Sequence, residues 1–205
     1  VSGSAPAMSG DGSNIVFSSG GLLYVHVGEH GTNQAVSVQP DGNLSFGGSQ
    51  DPSVSSNGNV IAFTSFSDDL VALPDDNLAS DVFLRDLAAQ TTVLVSVNLA
   101  GTGPGNGASF TSRISADGRY VAFLSQASDL VDNDTNNTTD VFLRDLQAGT
   151  TTLVSRSRFG PGSANDTSSE PAINADGRYV AFTSYARDLV ATDTIFARDV
   201  FLFDR

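Results

Sequence analysis

Residues 132 to 140 read Asp-Asn-Asp-Thr-Asn-Asn-Thr-Thr-Asp. Oxygen-bearing side chains fall at positions 1, 3, 5 and 9 of this run, as Asp132, Asp134, Asn136 and Asp140. Alternate residues of a tightly wound loop can aim at one centre. A hard cation such as calcium takes about six to eight oxygens at about 2.3–2.6 Å. Thr138 at position 7 would add its backbone carbonyl, and Asn137 at position 6 tolerates the left-handed conformation such a turn needs. Three carboxylates gathered there repel one another unless a cation or protons intervene. The competing reading is Asx-turns and hairpin capping by short polar side chains. An EF-hand is excluded, because it needs Gly at position 6 and an acidic ligand at 12, where this chain has Leu143.

Two other loops carry fainter versions. Aligned on Asp81, one offers Asp75, Asn77 and Asp81 but has Leu73 at position 1. Aligned on Asp199, the other offers Asp193 and Asp199, with Ala191 and Ile195 at the remaining places. Asp69, Asp129 and Asp188 recur before Leu-Val at the base of these loops. A structural part in pinning the loops suits them better than catalysis. Nucleophilic chemistry has little to work with. There is no Cys, and the two His residues, His26 and His30, stand without a Ser in a Gly-flanked elbow.

The elements that would position these loops are copies of one unit. Ala116-Asp-Gly-Arg-Tyr-Val-Ala-Phe123 returns as Ala175-Asp-Gly-Arg-Tyr-Val-Ala-Phe182, 59 residues later. Asp81-Val-Phe-Leu-Arg-Asp-Leu87, Asp140-Val-Phe-Leu-Arg-Asp-Leu146 and Asp199-Val-Phe-Leu-Phe-Asp204 keep the same step. Two blocks on one period mean one supersecondary unit in tandem. Each unit reads as four strands. Ser112–Ser115 is followed by a tight Asp117-Gly118 turn, then an apolar run from Arg119 to Ser125 that suits a strand covered on both faces. After the polar loop come Asp140–Leu146 and Thr150–Ser155. Units fall at about 5–46, 52–100, 112–158 and 171–205, the first reduced and the last ending after its third strand. In that last unit Phe203 replaces the Arg at 85 and 144, which argues against an essential chemical role for Arg85 and Arg144. These two are expected to pair with another blade or strand, since neighbours in a strand face opposite ways. Four strands per unit, repeated, is the plan of an all-β propeller of about four antiparallel blades.

The paired motifs resemble the TolB-type, WD-repeat-like propeller blades of bacterial proteins, over about three units well and the first weakly. That resemblance implies a fold but no single activity. The loop from Asp132 to Asp140 resembles the calcium-binding hairpin loops of integrin α-subunit propellers, which place Asp or Asn at positions 1, 3, 5 and 9. It departs at position 6, where Asn137 replaces the usual Gly.

Net charge is −13 and all ten basic residues are Arg. No basic stripe is present to neutralise phosphates, so nucleic acid is not an expected partner. No apolar run reaches the roughly 18 residues of a membrane helix. The composition and fold lead to three expectations for function. The first is a non-catalytic extracellular or periplasmic binding or scaffold module with calcium-stabilised loops and an unidentified protein or glycan partner. The second is a structural subunit of an extracellular filament or surface layer, assembling through the open edge of the last unit. The third is an accessory or catalytic propeller of a glycan-active enzyme.

Overall fold

The computed structural model describes residues 4–28, 31–191 and 197–205. It contains fifteen strands: β1 (Ser4–Met8), β2 (Asn14–Ser19), β3 (Leu22–Val27), β4 (Asn33–Ala35), β5 (Ser49–Val54), β6 (Val60–Ser65), β7 (Asp81–Asp86), β8 (Thr91–Leu94), β9 (Ser109–Ile114), β10 (Tyr120–Ser125), β11 (Asp140–Asp145), β12 (Thr150–Leu153), β13 (Ser168–Ile173), β14 (Tyr179–Ser184) and β15 (Asp199–Asp204). They form four antiparallel sheets, each in sequence order: β1 to β4, β5 to β8, β9 to β12, and β13 to β15. The described sheets do not close into a ring. The first strands of successive sheets, β1, β5, β9 and β13, pack on one another in turn and form the inner side of the arc. The short outer strands are β4, β8 and β12.

The core lies between sheets, as the apolar run in each second strand requires. Val121, Ala122, Phe123 and Leu124 are all buried, although successive side chains point to opposite faces. One face of the second and third blades carries a stacked aromatic pair, Phe63 on Phe83 and Phe123 on Phe142. The opposite face of the preceding blade supplies the small and branched residues that receive it. Val16, Leu23 and Val25 meet Ile61, Phe63 and Phe83. Ala62, Val82 and Leu84 meet Val121, Phe123 and Phe142. Ala122, Val141 and Leu143 meet Val180, Phe182 and Phe201. The repeated sequence is therefore a repeated interface, and each blade is complete only against its neighbours.

The Asp-Gly turn differs from the tight hairpin turn expected. Residues 115–119 form a wider connection closed by the Ser115 amide on the Tyr120 carbonyl, with Gly118 at φ +78°. The extra length leaves the Ala116 backbone available to the adjacent blades. Its amide donates to the Ala175 carbonyl at 3.0 Å, and its carbonyl accepts from the Ser56 amide at 2.9 Å. The Asp11 amide continues this chain to the Ser56 carbonyl. The first blade has a tight turn elsewhere: Gly20 and Gly21, both at positive φ, are all that separates β2 from β3.

Two further motif residues explain each other. Arg119 of Asp-Gly-Arg-Tyr forms a two-pronged pair with Asp145, which closes Asp-Val-Phe-Leu-Arg-Asp, at 3.0 and 2.7 Å. Arg178 and Asp204 repeat the pair. Arg85 and Arg144 donate to Thr92 and Thr151 on the next strand of their own sheet, not to another blade.

Candidate functional site

The loop joining β10 to β11 crosses the end of the third blade and is held by the connection leading into the fourth. The Ser163 hydroxyl oxygen accepts the Thr135 and Asn136 amides at 3.0 and 3.2 Å. The Ser163 amide donates to the Asn133 carbonyl, and the Asn136 side-chain amide donates to the Ala164 carbonyl at 2.7 Å. Asn137 takes φ +55°, the left-handed conformation expected at position 6. Asn136 also accepts the Thr138 amide, an Asx-turn within the same loop. The metal reading and the Asx-turn reading thus describe one backbone.

The loop brings Asp134 and Asp140 inside. Asp140 is fully buried and Asp134 is 8% exposed. Asp140 Oδ1 accepts the Ser155 hydroxyl at 2.6 Å, whereas its Oδ2 has no hydrogen-bond partner. Asp134 Oδ1 and Thr138 Oγ1 are likewise buried and unpartnered. Unsatisfied buried acceptors cost of order 1–3 kcal/mol each, more when charged. Burial, reinforced by the charge of Asp134, pushes the Asp140 carboxyl up to about 7, with the Ser155 hydrogen bond acting against the shift. Burial also raises Asp134. Asp132, by contrast, is exposed and does not join the pair. Among the described residues no three His, Asp or Glu side chains gather as metal-type ligands, so the three-carboxylate cluster expected of this loop is not formed.

The second blade is an internal comparison. Its loop has the same shape, with Leu78 at φ +54° where Asn137 stands in the third. Here the Asn77 side-chain amide donates to Asp81 Oδ2 at 2.9 Å as well as to the Gly105 carbonyl. Ser96 donates to Asp81 Oδ1 at 2.7 Å. Asp81 is thus satisfied on both oxygens without a cation, and only Asp75 Oδ1 is left unpartnered. Asp199 lies at the start of β15, opposite Ser184, and Asp193 lies outside the described residues.

Burial pushes the Asp81 carboxyl up to about 7, with the charge of Asp75 adding to it. A folded-state value above the unfolded one means that the native protein binds the extra proton. The stabilisation is full below about pH 4 and is lost as pH rises through 7, with a slope of at most about 1.4 kcal/mol per pH unit. Asp81→Asn should flatten part of the decline in melting temperature between pH 5 and 8 in metal-free buffer. An unchanged slope would show that Asp81 is already ionised in the folded protein.

Asp69, Asp129 and Asp188 are clamps between blades. Asp129 accepts the Asn106 amide and Asp188 the Asn165 amide, both at 2.9 Å, while Asp69 accepts Gln39 and Ser45 side chains. Each ties the connection from the preceding blade to the base of a loop. His26 faces Asn33 across the hairpin at 2.9 Å, with no nucleophile–base arrangement around it; His30 lies outside the described residues.

Sequence reasoning missed Ser163. The signal was present in the repeat, because Pro104 stands 59 residues earlier, so the third-blade loop has a hydroxyl there and the second-blade loop does not.

No family model matches the chain, and no curated protein matches it. Solved structures do. TolB from Acinetobacter baumannii superposes with a TM-score of 0.57 at 15% identity, over 99% of this chain and 41% of that one. The β-propeller domain of the Trilobed protease from Pyrococcus furiosus gives 0.58 at 11%, over 99% and 54%. An oligogalacturonate lyase in complex with manganese gives 0.59 at 13%, over 98% and 50%. The chain spans between two fifths and just over half of these proteins, and the likeness establishes a TolB-like β-propeller fold.

Proposed function

We propose that this chain is a non-catalytic binding or scaffold propeller of an extracellular or periplasmic protein, with its third-blade loop stabilised by calcium. The observation that carries the metal is the set of three buried, unpartnered oxygens on Asp134, Thr138 and Asp140. All three belong to the loop whose left-handed residue sits at position 6, and the charge of Asp134 is felt at Asp140. With two carboxylates rather than three, the cation draws its remaining oxygens from the Asn136 side chain, backbone carbonyls and water, as calcium tolerates. The binding role rests on a rigid arc presenting long polar loops on one face and on a net charge of −13, which draws basic partners. No helix among the described residues is long and apolar enough to cross a membrane.

Calorimetric titration of chelator-treated protein tests the metal. One calcium per chain, with magnesium weaker, is the expected result; no heat with either ion would sink the site. A panel of peptidase, esterase and glycan-cleaving assays tests the non-catalytic part. Turnover lost on mutating one carboxylate would overturn it.

A second reading is a subunit that assembles with further copies of itself through the terminal faces, which further blades of a longer chain would cover equally well. Val200 and Leu202 on β15 are 76% and 68% exposed, although their counterparts Val82, Leu84, Val141 and Leu143 are buried.

A further inference from the structure

The outer strands β8 and β12 diverge and leave a groove of ≈ 570 Å³ between the second and third blades. Its walls include Val93, Leu94, Leu99 and Leu130, together with Arg144. A volume of this order belongs to small-molecule sites, which combine an apolar lining with a few placed polar groups. Here the placed group is a cation. Arg144 is half-buried, donates to Thr151 Oγ1 at 3.0 Å, and has no carboxylate within ion-pairing distance among the described residues. Arg119, Arg178 and Arg198 have such partners, whereas Arg144 feels the charge of its chain neighbour Asp145 without ion-pairing to it.

The second blade shows what closes the equivalent position. Arg85 donates both to Thr92 and to Gln90 Oε1, and the Gln34 side chain reaches Gln90 from the first blade. Gln90 does this from a left-handed turn position, φ +56°. In the third blade that position is Gly149, φ +68°, which has no side chain to cap Arg144 and itself lines the groove. One substitution between two copies of the repeat therefore opens the groove and leaves the guanidinium facing it.

We propose that this groove binds a small monocarboxylate with an apolar tail, its carboxylate on Arg144 and its tail along Val93 and Leu99. A guanidinium takes a carboxylate through two parallel hydrogen bonds. The apolar walls disfavour a bare inorganic anion, and the single cation disfavours a polyanion. The inference is independent of the metal loop.

The test is titration of the whole chain with octanoate, followed by amide chemical shifts of Thr150, Thr151 and Leu99 and by calorimetry. Octanamide and inorganic phosphate are the controls. Octanoate should shift these amides, and both controls should bind at least about tenfold more weakly, since charge-assisted pairs are the stronger ones. Arg144→Gln should lose about tenfold or more. Gly149→Gln should lose as much by installing the second blade's cap. It is tolerated sterically, because Gln90 already holds that conformation and a Cβ at Gly149 meets nothing within 4 Å. Arg85→Gln should leave affinity unchanged. Acetyl-Val-Leu with a free carboxylate is a further arm: tighter binding than octanoate supports the groove as a reader of peptide C-termini, and weaker binding supports acyl carboxylates. Equal binding of octanoate and octanamide, equal binding by Arg144→Gln, or no saturable octanoate binding would overturn the proposal. Circular dichroism of each variant separates lost binding from lost fold.

Discussion

Adding calcium to chelator-treated protein should raise the melting temperature, and Asp134→Ala should erase most of that rise. Extracellular calcium modules bind at about 10⁻⁴–10⁻³ M. At tenfold excess over such a constant, linkage adds about 1.4 kcal/mol, or about 3–6 °C for a chain of this size. The variant removes the carboxylate whose Oδ1 is buried without a partner. It should also relieve Asp140, because the charge of Asp134 is one of the causes that raise the Asp140 carboxyl. Metal-free Asp134→Ala is therefore expected to melt no lower than metal-free wild type, which distinguishes lost binding from lost packing. Asp132→Ala should keep the calcium response, because that side chain is exposed and apart from the pair. Asn77→Ala should also keep it, because the second-blade loop satisfies Asp81 internally. Superimposable melts of wild type with calcium and with chelator would remove the metal reading altogether.

The second large effect concerns the terminal faces. If copies of this chain associate through these faces, replacing Val200 and Leu202 together with Arg should leave a species sedimenting at 21.2 kDa. In the second and third blades the residues at these positions are at most 6% exposed, because the next blade covers them. At the other end of the arc Met8 and Ile15 are 64% and 42% exposed, although Ile61, the counterpart of Ile15, is fully buried. The two faces carry the same kinds of residue that meet within the molecule, so a head-to-tail contact between copies would repeat an interface the fold already uses three times. Burying apolar area is worth about 25 cal/mol per Å², and two arginines on that face would have to be desolvated without partners. Ile15→Arg, at the complementary face, should disperse the assembly equally. Wild-type protein sedimenting as a 21.2 kDa monomer at high concentration would count against this contact.

Much of this molecule is written in its repeat. The 59-residue step, the Val-Ala-Phe run and the Asp-Val-Phe-Leu block determine strands, their order and their burial on both faces, because each depends on local pattern and on a neighbour of the same sequence. The spacing of the Asp132–Asp140 loop and the left-handed residue at Asn137 are equally local, and the backbone adopts that conformation. What the loop's oxygens meet is not local. Asp134 and Asp140 face inward while Asp132 faces water, because Ser163 and Ala164 of the next connection hold the loop's amides from one side. Asp81 is satisfied on both oxygens and Asp140 is not, although both open the same motif, because the Asn77 amide sits at 2.9 Å from Asp81 Oδ2 while the Asn136 amide, spent on the Ala164 carbonyl, acts on the Asp140 charge without making a well-formed hydrogen bond to its Oδ2. Arg85 is capped and Arg144 faces a groove because a turn residue is Gln in one copy and Gly in the other. Repetition specifies the scaffold through contacts that every copy shares. The candidate sites arise where copies differ, and the hydrogen-bond partners that decide them come from a neighbouring blade or from across a turn, so only the folded arc brings them together.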